Sequence, residues 1–172
     1  IGKNATTTSF SYELTSDIDA TPTTSFNSGS GFSPINQFSG NFSGGNQTIS
    51  GLFMNRPNAS HVGLFGNVTG SGFIKELTLT NANVTGNVSD VNSQSVGGLV
   101  GNVELPSNHL VQISDIVVNG SIEGTGDNFF GIGGIVGTNK FSDSSGELQI
   151  KRAKFSGTIT ADKSSGIIEY AG

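Results

Sequence analysis

Val96-Gly97-Gly98-Leu99-Val100-Gly101 is the phrase on which the fold of this chain turns. It returns as Ile132-Gly133-Gly134-Ile135-Val136-Gly137, precedes itself in a shorter form as Val62-Gly63-Leu64-Phe65-Gly66, and recurs weakly as Ser165-Gly166-Ile167-Ile168-Glu169. The closing glycines Gly66, Gly101 and Gly137 lie 35 and then 36 residues apart. A fixed interval of this size is the mark of a repeat architecture. The phrase is too short for a helix, and its flanking glycines mark a tightly turned strand.

A second phrase lies between the first ones. Ile113-Ser-Asp-Ile116-Val-Val118-Asn-Gly120-Ser-Ile122 and Ile150-Lys-Arg-Ala153-Lys-Phe155-Ser-Gly157-Thr-Ile159 carry apolar residues at relative positions 1, 4, 6 and 10, with glycine at 8. Leu79-Thr-Asn-Ala82-Asn-Val84-Thr-Gly86-Asn-Val88 carries the same pattern. Positions 4 and 6 share one face of a strand, and the glycine permits a close backbone approach at a corner. Superposing the three phrases predicts that Val84, Val118 and Phe155 lie one above another.

Strand signals at a period near 35 residues argue for a solenoid. Helical repeats of similar period fail on content, because Gly, Asn, Ser and Thr are poor helix formers and no window carries two turns of helical apolar spacing. A propeller would need more blades than this length supplies. The chain of 172 residues is read as one domain, with residues 1–53 as entry or capping coils and 54–172 as repeats of about 35 residues. The expectation is an all-β, right-handed parallel β-helix of about four to five coils, a rod segment of roughly 20 to 25 Å.

Composition agrees. Hydrophobic residues make up 33% and charged residues 12%, and 26 glycines with abundant Ser, Thr and Asn fill the rest. Small polar residues between short apolar clusters suit short strands joined by tight turns. There is no cysteine, which excludes disulfides, thiol catalysis and thiolate metal sites. Net charge is −5. Lys151, Arg152 and Lys154 are the one basic concentration and read as a solvated strand edge, so no nucleic-acid partner is expected. No apolar run approaches the ~18 residues of a membrane span. A chain starting at Ile1 reads as a processed product or an excised piece.

These phrases resemble the GLUG-motif family, named for a Gly-Leu-any-Gly signature. The segments ending in Gly66, Gly101 and Gly137 look like that motif. Phe32-Ser-Pro34-Ile35, Phe38-Ser-Gly40-Asn-Phe42-Ser-Gly44 and Ile49-Ser-Gly51-Leu52 are similar to its lead-in, and Tyr12-Glu-Leu14-Thr-Ser-Asp17-Ile18-Asp19 to the strand before it. Asn36, Ser43 and Glu169 depart from the pattern. The resemblance implies a right-handed parallel β-helix in secreted or surface-attached proteins, adhesins among them, with no activity assigned to the module itself.

Candidate chemistry is sparse. His61 and His109 lie near corners without carboxylates at ligand spacing, and no metal site is expected. Asp17 and Asp19, two apart on a strand, would share a face and read as a solvated corner. No serine stands in a Gly-x-Ser-x-Gly elbow. Arg56 and Arg152 are the only arginines, too few for a polysaccharide lyase face. No catalytic residue, metal or cofactor is assigned, and the chain is read as not an enzyme. The pairs Thr6/Thr8, Thr78/Thr80 and Thr158/Thr160 fall at inequivalent positions, so they do not build an ice-binding rank.

Asn-x-Ser/Thr occurs eight times, at Asn4, Asn41, Asn46, Asn58, Asn67, Asn83, Asn87 and Asn119. Composition alone would give about four. Asn4, Asn41, Asn46, Asn58, Asn67 and Asn87 are the candidate N-glycosylation sites, while Asn83 and Asn119 fall inside strand phrases. The expected function is a structural or adhesive extracellular module at the cell surface, a stalk or filament segment partnered by neighbouring repeats or by identical chains end to end. Alternatives are a glycan- or host-receptor-binding surface using Phe129 and Phe130 in a loop, and a non-catalytic accessory domain of a surface protease.

Overall fold

The computed structural model describes residues 5–88, 94–126 and 129–162. It is a parallel β-solenoid. The chain opens with the short helix α1 (Ala5–Thr8), the strands β1 (Ser11–Glu13) and β2 (Ile18–Asp19), and a 3-10 helix (Thr21–Ser25). Three windings follow. The first is β3 (Asn41–Ser50), β4 (Phe53–Arg56), β5 (His61–Val62) and β6 (Phe65–Val68). The second is β7 (Gly72–Val88), β8 (Gln94–Gly97) and β9 (Val100–Leu105). The third is β10 (Leu110–Gly126), β11 (Phe129–Gly133) and β12 (Val136–Phe141), after which β13 (Glu147–Asp162) starts another.

Each strand hydrogen-bonds in parallel to its equivalent one winding away. The longest sheet runs β1-β3-β7-β10-β13, with β2 and β4 paired beside that path. The other two faces have three strands each, β5-β8-β11 and β6-β9-β12. The expected four to five coils are therefore five rungs on one face but about three complete turns. Five rungs span four gaps of ~4.8 Å, roughly 20 Å. Regular winding begins at Asn41, inside the stretch read as entry coils.

Inward residues stack into ladders. Tyr12, Phe42, Ile74, Ile113 and Ile150 form one, through the pairs Tyr12↔Phe42, Phe42↔Ile74, Ile74↔Ile113 and Ile113↔Ile150. Ile18, Ile49, Leu79, Val118 and Phe155 form a second. Met54, Val84, Ile122 and Ile159 form a third. The anticipated stack of Val84, Val118 and Phe155 is thus corrected. Val118 does face Phe155, but it faces Leu79 on its other side, and Val84 faces Ile122.

The physical reason is a bulge. The segment Ile74-Lys-Glu-Leu77-Thr-Leu79 repeats the first six positions of the phrase, and β7 then carries an extra residue between Leu79 and Ala82, where β10 has only Asn119 between Val118 and Gly120. Asn81 takes up the extra length in the left-handed region, at φ 52°. A second column of left-handed residues, Glu76, Asp115 and Arg152, bends each rung at the same corner.

The glycine phrases form the corner between the two three-stranded faces. A Cβ on Gly97 would lie 2.0 Å from the Val100 carbonyl oxygen and 2.7 Å from the Gly137 nitrogen, and one on Gly98 would lie 2.4 Å from the Gly134 carbonyl oxygen. The corner closes because the backbones of successive coils come into contact there. Above it, the Phe155 ring lies over Gly134, where a Cβ would be 2.2 Å from the ring.

Phe38, Phe42 and Phe65 meet at the axis of the first winding. The Phe65 ring centroid is 4.8 Å from that of Phe38 and 5.3 Å from that of Phe42, the latter edge-on at 74°. Such tilted and edge-to-face pairs match the ring quadrupoles.

Candidate functional site

The solenoid presents two kinds of surface that can do something: its two ends, and the polar side chains along its flanks. At the N-terminal end the 3-10 helix and the turns after it do not fill the axis. They leave an apolar cup of about 450 Å3 lined by Leu14, Ile18, Phe26, Phe32, Phe42 and Leu52, among others, with Asp19 and Thr23 as its polar residues. Ile18 is 40% and Phe26 46% exposed. At the other end Ile150, the last rung of its ladder, is 46% exposed, whereas Ile74 and Ile113 in the same ladder are buried. Among the described residues the ladders are buried inside the stack and exposed at their terminal rungs, Ile18 and Ile150.

Of the acidic pair flanking Ile18, Asp19 lies on β2 and Asp17 just before it, and each holds a different backbone amide. Asp17 accepts the Thr48 amide at 2.7 Å and Asp19 the Thr21 amide at 2.9 Å. Both are exposed. Hydrogen bonds from the Thr21 hydroxyl and amide hold the Asp19 carboxyl below the ordinary carboxylate range. At the far end Arg152 grips Asp115 of the preceding coil through Nε and Nη2, the latter at 2.7 Å. That contact holds the Asp115 carboxyl low in the same way.

The structure also assembles a polar cluster that sequence reasoning did not find. His61 Nδ1 lies 2.8 Å from Ser95 Oγ. The two are one coil apart, and each stands immediately before the valine that opens its glycine phrase, which was the available signal. Ser95 is fully buried between the rungs of His61 and Gly131. Its hydroxyl is sealed there, so the pair is a cross-rung hydrogen bond rather than a nucleophile facing solvent. Next to it Asn102 donates to Asn67 at 3.0 Å and Asn67 donates to Glu104 at 3.4 Å, leaving Asn102 Oδ1 without a partner. Lys140 pairs with Glu104 at 3.7 Å. His109 Nδ1 contacts the Ser107 carbonyl at 2.9 Å, far along the chain from His61. Among the described residues no three of His, Asp and Glu converge on a point where an ion would fit.

Burial pushes the His61 imidazole below its ordinary value of 6.5, and the Glu104 carboxylate offsets only part of that. As pH falls through the ordinary value the unfolded chain binds a proton that the folded chain resists. The stability this group contributes is therefore intact above 6.5 and lost progressively below it. His61→Gln is expected to flatten the fall in the urea midpoint between about pH 7.5 and about pH 5. An unchanged slope in the variant would show that His61 is not its source.

The sequon asparagines sort by exposure. Asn46 at φ 59° and Asn58 in an open turn are exposed, and so is Asn83 on β7. Asn41 has both ends of its amide engaged, with Ser11 at 3.1 Å and the Phe73 amide at 3.3 Å. Asn119 donates to the Ser156 carbonyl at 3.0 Å. Asn67 is corrected as a candidate: it is 3% exposed and its nitrogen already donates to Glu104, so the folded chain offers no room for a sugar there. Asn4 and the Asn87 side chain lie outside the described residues. Phe129 and Phe130, expected in a loop, belong to β11; their side chains lie outside the described residues, as does the fourth glycine phrase at Gly166. Lys151 reaches Gln149 at 2.8 Å on the exposed edge of β13. Among the described residues no helix is long and apolar enough to cross a membrane.

No family model matches the chain, and no solved structure matches it. The chain is 36% identical over 151 residues to Halomucin of Haloquadratum walsbyi, an alignment covering 83% of this chain and 2% of Halomucin. It is 34% identical over 80 residues to a putative Gly-rich membrane protein of Evansella cellulosilytica, covering 44% of this chain and 9% of that protein. The chain thus spans a small fraction of the length of the curated relatives it resembles.

Proposed function

We propose that this chain is a structural and adhesive module of a secreted or cell-surface protein, a rigid segment of a stalk or filament with no chemistry of its own. The observation that carries the proposal is the unbroken ladder Ile18, Ile49, Leu79, Val118 and Phe155, which ties five successive rungs into one stiff body. Outward positions on the same sheet carry Ser43, Thr48, Thr78 and Asn83, a wettable face suited to the outside of a cell. The resemblance to a stretch of Halomucin supports a surface setting. Membership of the GLUG-motif family belongs to the same proposal, supported by the placement of all three clear glycine phrases at one corner of the solenoid.

Immunogold labelling of the producing cells with antibody against this chain tests the setting. Label over the envelope or in the medium is expected, and label confined to the cytoplasm would overturn the proposal. If the surface is glycosylated, Asn46, Asn58 and Asn83 are the expected carriers among the described sites and Asn67 remains bare. Peptide mapping of chain purified from its source checks this, and an Asn67 glycopeptide from folded protein would contradict it.

A further inference from the structure

We infer that the C-terminal edge of one chain docks on the N-terminal edge of a second copy, continuing the parallel stack head to tail. The inference rests on the stalk or filament reading above and names the partner. It comes from the register. On the outward face, Glu13, Ser43, Lys75, Ser114 and Lys151 form one column through the pairs Glu13↔Ser43, Ser43↔Lys75, Lys75↔Ser114 and Ser114↔Lys151. Extending that column by one rung sets Lys151 of one copy opposite Glu13 of the next.

A second outward column gives the same pairing. Thr48, Thr78, Val117 and Lys154 are successive rungs, and Asp17 stands above Thr48, whose amide it accepts at 2.7 Å. One more rung sets Lys154 opposite Asp17. All four charged residues are exposed. Opposite charges directly across strands are favourable and like charges are not. Both columns therefore present acid at one end of the stack and base at the other.

The inward face agrees. The same one-rung extension puts Ile150 on Tyr12 and Phe155 on Ile18. Ile150 and Ile18 are 46% and 40% exposed, though they belong to ladders whose inner members are 7% exposed or less. Ile18 lines the apolar cup, so the Phe155 ring of the adjoining copy would close it. The parallel edges of β1 and β13 supply main-chain partners in the same direction. Such an interface uses different surfaces on its two sides, so it extends into an open filament instead of closing as a symmetric dimer.

Sedimentation velocity of the purified chain and of two charge-reversed variants, Glu13→Lys and Lys151→Glu, tests the inference. Asp17 is left alone because its carboxylate also holds the Thr48 amide. The wild type is expected to associate with rising concentration beyond its 17.6 kDa mass, more strongly at low salt. Each variant alone is expected to associate about tenfold more weakly, because every junction then sets like charges opposite each other. Mixed one to one, the variants regain association, since each junction between unlike variants pairs opposite charges again. At concentrations where all three are monomeric, their urea midpoints stay at the wild-type value, because both positions are exposed.

A wild type that stays monomeric over about a hundredfold range of concentration overturns the inference. So do variants that associate like the wild type, and a mixture that fails to recover. None of these outcomes bears on the immunogold result, so failure of the junction and failure of the surface setting are told apart.

Discussion

Replacing Phe65 by alanine is expected to lower the unfolding free energy by about 3 to 5 kcal/mol. Phe65 is fully buried and touches both Phe38 and Phe42, at 4.8 and 5.3 Å between ring centroids. The three rings come from different parts of the winding, so their contact pins the entry segment, β3 and β6 together around one axis. Truncation removes the transfer energy of the ring and leaves a cavity that the fixed corners cannot collapse. It also removes two aromatic pairs worth about 0.5 to 1.5 kcal/mol each beyond their buried area. Against a typical domain stability of about 5 to 15 kcal/mol, the loss is a large fraction of the whole. Urea denaturation should show a lowered midpoint with an unchanged slope. Phe10→Ala is the control: Phe10 is 52% exposed, and its removal should change stability by less than about 0.5 kcal/mol. Equal losses in the two variants would mean that the rings around Phe65 do not form the anchor described.

The second large effect belongs to Gly101. A Cβ there would sit 2.7 Å from the Val62 nitrogen, 2.8 Å from the Gly66 carbonyl oxygen and 2.9 Å from the Val62 carbonyl oxygen. All three are backbone atoms of the coil before it, held by the pairs Val62↔Val96 and Phe65↔Val100. A flexible side chain could swing aside, but these atoms move only if the coils separate. Gly101→Ala is expected to cost about 1 to 3 kcal/mol, and Gly101→Val more than that. Gly29 provides the contrast, because a Cβ there meets nothing within 4 Å and the only cost is its φ of 86°. Gly29→Ala should therefore cost only about 1 to 2 kcal/mol. If Gly101→Val melts with the wild type, the close approach of backbones at this corner is not real.

The glycine phrases made the period readable because a backbone-to-backbone corner admits no other residue, so the sequence must repeat there. The register of β10 on β13 was readable for a related reason: the two strands pair without a bulge, and Gly120 falls on Gly157. β7 misled because its pattern occurs twice, at Ile74 and again at Leu79, and a one-residue bulge lets only the earlier copy align. The sequons could not be ranked from alternation. Asn67 and Asn102 face a sealed strip between coils where a polar ladder replaces an apolar one, so polarity did not mean exposure. The His61–Ser95 contact joins residues 34 positions apart, and only the winding brings them together. The N-terminal cup had no sequence signature. It arises because Thr21–Ser25 forms a 3-10 helix, which caps the stack without filling its axis.

The strand pairings described above join each rung only to the rungs directly before and after it. Ile74 and Ile150 both face Ile113, and each would fit the other equally well. A gene encoding such a chain can therefore drop or copy a whole turn and still specify matching neighbours, whereas a cut of half a turn leaves every later residue facing the wrong way. Reach is thereby inherited in discrete steps, and lineages can differ in the length of the same object without reinventing any of its parts.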